Sequence, residues 1–258
     1  MSDSVLRERI APHIELVTLN RPAARNAISA VVTARLSAIV AETETDDEVW
    51  AVVLAGTGGV AFCAGADLKD VSLGGMSRLY SPVGGFAGFV AAPRAKPWIA
   101  AVEGFALAGG FELVLCCDLC VAAEHSTFGL PEVARGLIAA AGGIYRLTRA
   151  IPRAIALELI TTATTIDAAR ALELGLINRL TKPGCAVHVA VELALAICNN
   201  APLAVRESLG IARQAADLND SSLMRLSVEA QGRLSETEDY AEGPRAFLER
   251  RKPHWVGR

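Results

Sequence analysis

The chain has 258 residues, a formal net charge of −3, 52% hydrophobic residues and 21% charged residues. That balance excludes a disordered chain, which lacks the apolar surface to form a core, and it supplies no overall positive field for nucleic acid. The longest apolar region, Ile99 to Cys117, is broken by Glu103, Glu112 and three glycines, so no membrane span is expected.

The N-terminus, M-S-D-S-V-L-R-E-R, has no hydrophobic signal core. His13 to Asn20 alternates apolar and polar residues, which predicts a strand ended by Arg21-Pro22. Ser29 to Glu44 has helical spacing behind a serine cap. Trp50 to Ala55 is a continuous apolar run before the Gly58-Gly59 turn and reads as a strand buried on both faces. Trp98 to Val102 and Leu119 to Ala123 are similar runs, so strands recur with helices between them and the fold class is α/β.

From Arg146 the pattern turns helical: 152–160, 167–174, 186–199, 202–217 and 223–234, with Pro152 and Pro202 at helix starts and Gly175 after a helix end. The expected organisation is an α/β core over residues 1–200 and a helical section over 201–258, with no internal sequence repeat. Arg245, Arg250, Arg251 and Lys252 form a local basic cluster. The six cysteines lie mostly in apolar surroundings, which suits reduced packing thiols in a cytoplasmic protein. Cys117 and Cys120 spell C-x-x-C, but no second pair and no helix start follow. The four histidines have no ligand spacing, so no metal is expected.

Two features point to chemistry. Glu112, in G-F-A-L-A-G-G-F-E-L, and Glu132, in F-G-L-P-E-V, are carboxylates in the driest part of the chain. Burying an unpaired carboxylate costs several kcal/mol, roughly, so two together suggest use. Burial and mutual repulsion push their pKa values up and apart, which suits acid–base work. Glu112 on a helix surface and Glu132 as a first-turn carboxylate behind Pro131 are the structural alternatives. Small residues at Ala64, Gly65 and Ala66, and again at Ala108-Gly109-Gly110 before a helix, open two sets of backbone N–H donors to a ligand. Tight turns that need glycine would explain either set alone. No G-x-S-x-G, P-loop or dinucleotide fingerprint competes.

At these residues the sequence resembles the crotonase superfamily, the enoyl-CoA hydratases and isomerases. The matching stretches are L-N-R-P-A-A-R-N-A from Leu19, V-V-L-A-G-T-G-G-V-A-F-C-A-G-A-D-L-K from Val52, and A-V-E-G-F-A-L-A-G-G-F-E-L from Ala101. They continue with C-D-L-C-V-A-A-E-H-S-T-F-G-L-P-E-V from Cys117, A-G-G from Ala141 and E-G-P-R-A-F-L-E-R-R-K-P-H-W from Glu242, so the likeness spans nearly the whole chain. It implies a ClpP-like spiral of ββα turns followed by helices that make a homotrimer or a dimer of trimers. It implies an acyl-CoA thioester substrate, with coenzyme A entering as part of the substrate and no separate cofactor.

The N–H groups of Ala66 and Gly109 would then form the oxyanion hole, at about 3 kcal/mol each in the transition state. Ala64 resembles the residue whose carbonyl reads the adenine amine; Arg25 stands where the first loop nears the CoA phosphates. Asp67 and Leu68 continue the same CoA-binding stretch, and Phe247 and Arg250 resemble residues that close the CoA pocket. The pair Glu112 and Glu132 implies hydration of a trans-2-enoyl-CoA, or the reverse dehydration, with one water held between them.

The turn Ile138 to Gly143 lacks the usual proline, and the Ala140 N–H is expected to help hold the water. Leu130 replaces a polar residue and should dry the pocket around Glu132. The glycine- and proline-rich segment Ser72 to Gly88 is expected to be mobile and to set acyl preference. The alternatives are a carnitinyl-CoA-type dehydratase, an enoyl-CoA isomerase and an acyl-CoA-binding protein without turnover.

Overall fold

The computed structural model describes residues 3–258. Twelve strands run β1 Val5–Ala11, β2 Ile14–Leu19, β3 Ala51–Gly56, β4 Ala61–Cys63, β5 Tyr80–Ser81, β6 Gly85–Phe86, β7 Trp98–Val102, β8 Phe105–Leu107, β9 Leu119–Ala123, β10 Thr127–Gly129, β11 Thr165–Asp167 and β12 Arg179–Thr181. The helices are α1 Ala30–Thr45, α2 Leu68–Gly74, α3 Gly109–Cys116, α4 Gly143–Ala150, α5 Arg153–Thr162, α6 Ala168–Glu173, α7 Ala186–Cys198, α8 Pro202–Ala212, α9 Asp220–Leu234 and α10 Glu238–Leu248.

Within each of the pairs β3–β4, β7–β8 and β9–β10 the two strands go to different sheets. β3, β7 and β9 lie side by side, parallel, in a six-stranded sheet of order β1-β2-β3-β7-β9-β12. Their followers β4, β8 and β10 lie side by side, also parallel, in a four-stranded sheet of order β11-β10-β8-β4. The chain therefore winds through repeated β–β turns, of which the second closes with α3. The repeat is one of geometry without repeated sequence.

The predicted strand starting at His13 is β2, and the run at Trp50 is β3, buried over Ala51–Ala55. Even and odd residues of β3 face different cores. Val52 and Leu54 join Trp98, Ala100 and Phe111 on one side; Ala51, Val53 and Ala55 meet Ala186, Ala190 and Ala194 of α7 on the other. Alanines four apart let α7 lie close against the sheet. The Ser29 cap is present, its side chain accepting from the Val32 N–H at 3.3 Å.

Several elements were not anticipated, among them the short strands β4, β8 and β10 and the longer β1, α4 and α10. β1 pairs antiparallel with β2 although its residues Leu6 to Ile10 are mostly charged or exposed, as suits an edge strand. α4 begins at a glycine and α10 contains Pro244, and both features mask helical periodicity. The segment Ser72 to Gly88, expected to be mobile, carries the last turns of α2, a 3-10 turn and the β5–β6 hairpin. Leu79, Phe86 and Phe89 anchor it, each 3% exposed or less. Gly84 and Gly88 serve close packing: a Cβ on Gly88 would lie 2.6 Å from Ser37 Cβ of α1.

Two of the four residues of the C-terminal basic cluster are paired. Arg245 and Arg251 both bind Glu242, whose carboxyl is held far below its ordinary range by Arg251, by the His254 N–H and by Arg245. All six cysteines are free, and burial pushes the Cys117 and Cys120 thiols well up, which suits packing rather than redox chemistry. Among the described residues no single helix is long and apolar enough to cross a membrane.

Candidate active site

The site grows from the carboxyl ends of three adjacent parallel strands, β4, β8 and β10, where open α/β sheets place ligands. β8 and β10 are in register, with Gly129 opposite Leu107, and the Ala108 N–H donates to the Gly129 carbonyl at 3.0 Å. Two equivalent turns of the chain therefore end side by side. Glu112 follows β8 by one helical turn, and Glu132 sits in the 3-10 turn Pro131–Arg135 after β10.

Both carboxyls are buried, Glu112 at 4% and Glu132 at 9% exposure. Burial raises the Glu112 carboxyl to about 7 and the charge of Glu132 adds to the rise, while hydrogen bonds from the Gly143 and Ala141 amides and the charge of Arg146 oppose it. Burial also raises Glu132, against its own backbone N–H and Arg135. Leu130, 1% exposed, is part of that dry wall. Glu112 Oε1 accepts the Gly143 N–H, the first amide of α4, at 2.9 Å. Glu132 Oε2 is buried and has no hydrogen-bond partner among the described residues. An acceptor left open in a dry site is suited to a proton-bearing ligand.

β4 and β8 are also parallel neighbours, which brings the two amide loops together. A Cβ on Gly65 would lie 2.9 Å from Ala108 Cβ and 3.0 Å from the Gly109 nitrogen. Gly65 has φ +87, so it needs both its missing side chain and its backbone freedom. Ala108 has φ 52 and ψ −130, a conformation that costs a non-glycine residue about 1–3 kcal/mol. It starts α3 so that the Gly109 amide has no protein acceptor among the described residues. The Ala66 amide is likewise open: its parallel bridge to Ile28 uses the Gly65 carbonyl and the Asp67 N–H. Gly110 fits where a Cβ would stand 2.0 Å from the Cys63 carbonyl oxygen.

Of the remaining predicted residues, Arg25 and Ala64 come together, the Ala64 N–H donating to the Arg25 carbonyl at 3.1 Å. The Arg25 guanidinium is exposed, 5.8 Å from the centre of the Phe105 ring. Leu68 is exposed in the first turn of α2. The Asp67 carboxylate is committed elsewhere: it caps α2 through the Lys69 N–H and pairs with Arg21 at 2.9 Å. Burial works against its ionisation, but Arg21 and the cap hold it below its ordinary value, so it is an architectural residue rather than a free ligand.

Ala140 departs from expectation as well. Its N–H is taken by the Ile138 carbonyl at 2.9 Å and the residue is exposed, because the turn without proline curls tightly there. The N–H of this turn that reaches the site is that of Gly143, which donates to the Glu112 carboxylate. Phe247 and Arg250 lie at the exposed end of α10, Phe247 at 82% exposure, and in the single chain they cover nothing.

Sequence reasoning missed Asn26, Tyr80, Phe86 and Arg146. Asn26, φ 55 and 1% exposed, bonds the Thr57 and Ala61 carbonyls and so fixes the loop holding Arg25. Asparagine before a buried run, where the left-handed region is tolerated, was the available signal. The Phe86 ring covers Gly109, reaching within 2.6 Å of where a Cβ would be, and Tyr80 meets it edge-on at 5.6 Å between centroids. Burial raises the Tyr80 phenol and the Glu112 charge raises it further. Among the described residues no group of three or more His, Cys, Asp or Glu is placed to hold a metal ion.

Residues 9–258 match the family described as enoyl-CoA hydratase/isomerase. A mevalonyl-coenzyme A hydratase of Aspergillus fumigatus is 39% identical over 251 residues, 95% of this chain and 92% of that protein. A carnitinyl-CoA dehydratase of Citrobacter koseri is 36% identical over 263 residues, the full length of both. The crystal structure of an enoyl-CoA hydratase from Mycobacterium tuberculosis superposes over 100% of both chains with a TM-score of 0.95 at 42% identity.

Proposed function

The chain belongs to the enoyl-CoA hydratase/isomerase family, and from that premise we propose that it adds water to a trans-2-enoyl-CoA, giving the 3-hydroxyacyl-CoA. The carrying observation is two buried carboxyls with raised proton affinity beside two open backbone amides.

The thioester oxygen sits between the Ala66 and Gly109 N–H groups. These donors draw charge from the conjugated system, leave Cβ electron-poor and stabilise the enolate that forms. One water lies between Glu112 and Glu132. An ionised carboxylate of the pair takes one of its protons as its oxygen bonds to Cβ, and Cα receives a proton from the protonated member. The two glutamates titrate as a coupled pair, so the proton cycle belongs to both. No metal or redox group enters, and coenzyme A belongs to the substrate. Arg25 and the Ala64 carbonyl fit the nucleotide end.

A second reading is dehydration or hydration of an acyl-CoA with a polar chain. It is favoured by the Tyr80 phenol, edge-on to the Phe86 ring that covers Gly109, and by likeness to proteins named for mevalonyl- and carnitinyl-CoA. Assembly into a homotrimer or a dimer of trimers through the section 201–258 fits the uncovered Met224, Val228, Phe247 and Leu248, each at least 65% exposed. The free thiols suit a reducing, cytoplasmic setting.

The test is loss of enoyl absorbance with crotonyl-CoA, longer enoyl-CoAs and crotonobetainyl-CoA. Turnover of none of them, with CoA esters still bound, rejects the hydratase reading in favour of a binding protein.

A further inference from the structure

The amide that binds Glu112 is held in place by one arginine. Gly142, with φ +106, turns the chain into α4, and the Gly143 N–H donates to Glu112 Oε1. Arg146, one turn into α4, reaches back over this turn. Its Nη1 donates to the Ala141 carbonyl and its Nη2 to the Val90 carbonyl, both at 2.9 Å. The guanidinium lies so close that a Cβ on Gly142 would be 2.0 Å from Nη1. One planar group thus ties the turn to the segment after the β5–β6 hairpin, a geometry that its rigid fork suits.

We propose that Arg146 is a positioning residue for Glu112: it fixes the turn whose amide binds that carboxylate, and it supplies positive charge on the same side. Its hydrogen bonds go to neutral carbonyls, and among the described residues no carboxylate forms an ion pair with it, so its charge is not cancelled at close range. The groups around Glu112 act in opposite directions. Glu132 from the 3-10 turn favours protonation, Arg146 from α4 favours ionisation, and Tyr80 from β5 senses the resulting charge. Arg146 also lines a cleft of 640 Å³ with Arg94, Arg149, Arg213, Asp118 and Asp217. Arg149 and Arg213 there are paired with Asp217 and Asp118. Arg146 differs from both in facing the catalytic turn. The catalytic consequence rests on the hydratase reading; the positioning does not.

The test uses the full chain carrying ¹³C-labelled glutamate carboxyls, with the Glu112 signal identified by its loss in Glu112→Gln. The expected wild-type midpoint is about 7. Arg146→Gln moves the midpoint up by about half to one pH unit, since an opposing charge has gone. Arg146→Lys keeps the charge and cannot bridge both carbonyls. Its Glu112 midpoint stays in place while kcat falls about tenfold with KM unchanged, because the carboxylate is misplaced.

An Arg146→Gln midpoint equal to wild type overturns the electrostatic part, and an Arg146→Lys kcat equal to wild type overturns the bridging part. If Arg146→Gln does not fold, Arg146→Lys decides: a shifted midpoint or an undiminished kcat rejects the proposal. A wild type that turns over no enoyl-CoA removes the hydratase reading and the catalytic consequence with it, while the carboxyl titration still decides the electrostatic part.

Discussion

The Ala108 amide donates to the Gly129 carbonyl across 3.0 Å, joining the start of the helix that carries Glu112 to the end of the strand that leads to Glu132. Twenty residues apart in sequence, the two carboxyls become neighbours because β8 and β10 are equivalent strands in successive turns of the chain. The same stacking, one strand earlier, sets Ala66 beside Gly109.

Glu112 makes the folded state sensitive to pH. Its carboxyl rises from 4.5 to about 7 on burial, so the folded protein binds its proton more tightly than the unfolded chain. Below 4.5 both states are protonated and nothing is lost. Between 4.5 and 7 only the unfolded chain releases the proton, and above 7 the folded state is weaker by about 3 kcal/mol. Glu112→Gln keeps an acceptor for the Gly143 amide and cannot ionise. It should therefore melt higher than wild type at pH 8 and equal to it at pH 4, as checked by thermal unfolding across pH.

The same carboxyl shapes catalysis. If ionised Glu112 accepts the water proton, kcat/KM for hydration falls as pH drops through about 7. Glu132→Gln removes a like charge and moves the Glu112 titration to lower pH. Each Gln variant should lose about 10²–10⁴ in kcat while still binding the substrate, as measured by stopped-flow and calorimetry. A Glu132→Gln enzyme with full activity would reject the two-carboxylate mechanism.

Gly110 is a packing requirement. A Cβ there meets the Cys63 carbonyl oxygen at 2.0 Å, and neither backbone can yield without moving β4 away from α3. Gly110→Ala should cost about 3 kcal/mol and lower Tm by roughly 5–10 °C. The same shift would part the Ala66 and Gly109 amides, so any folded fraction should show reduced kcat.

Tyr80 offers a phenol edge-on to Phe86, whose ring covers Gly109. Tyr80→Phe should leave crotonyl-CoA hydration within about twofold and lower kcat/KM about tenfold for an acyl chain with a hydroxyl, the worth of one hydrogen bond. Equal loss on both substrates would remove Tyr80 from polar-chain recognition.

The local features were legible in sequence because they are local. The Ser29 cap, the doubly buried β3 run and the glycine pairs each state their own backbone need within a few residues. Charged β1, Gly-led α4 and Pro-bearing α10 escaped because their pairing or packing partners, rather than their periodicity, define them.

By itself, the sequence determined the α/β class, the family likeness, the dry carboxyls Glu112 and Glu132 and the two amide loops. Only the tertiary structure decided how they meet. Parallel register of β4, β8 and β10 aligned residues from three separate turns; contacts outside those strands paired Asp67 with Arg21, left the Ala140 amide to Ile138, and turned the Gly143 amide to Glu112 under the Arg146 clamp. Register between distant strands depends on the whole stacked core and is written in no single segment.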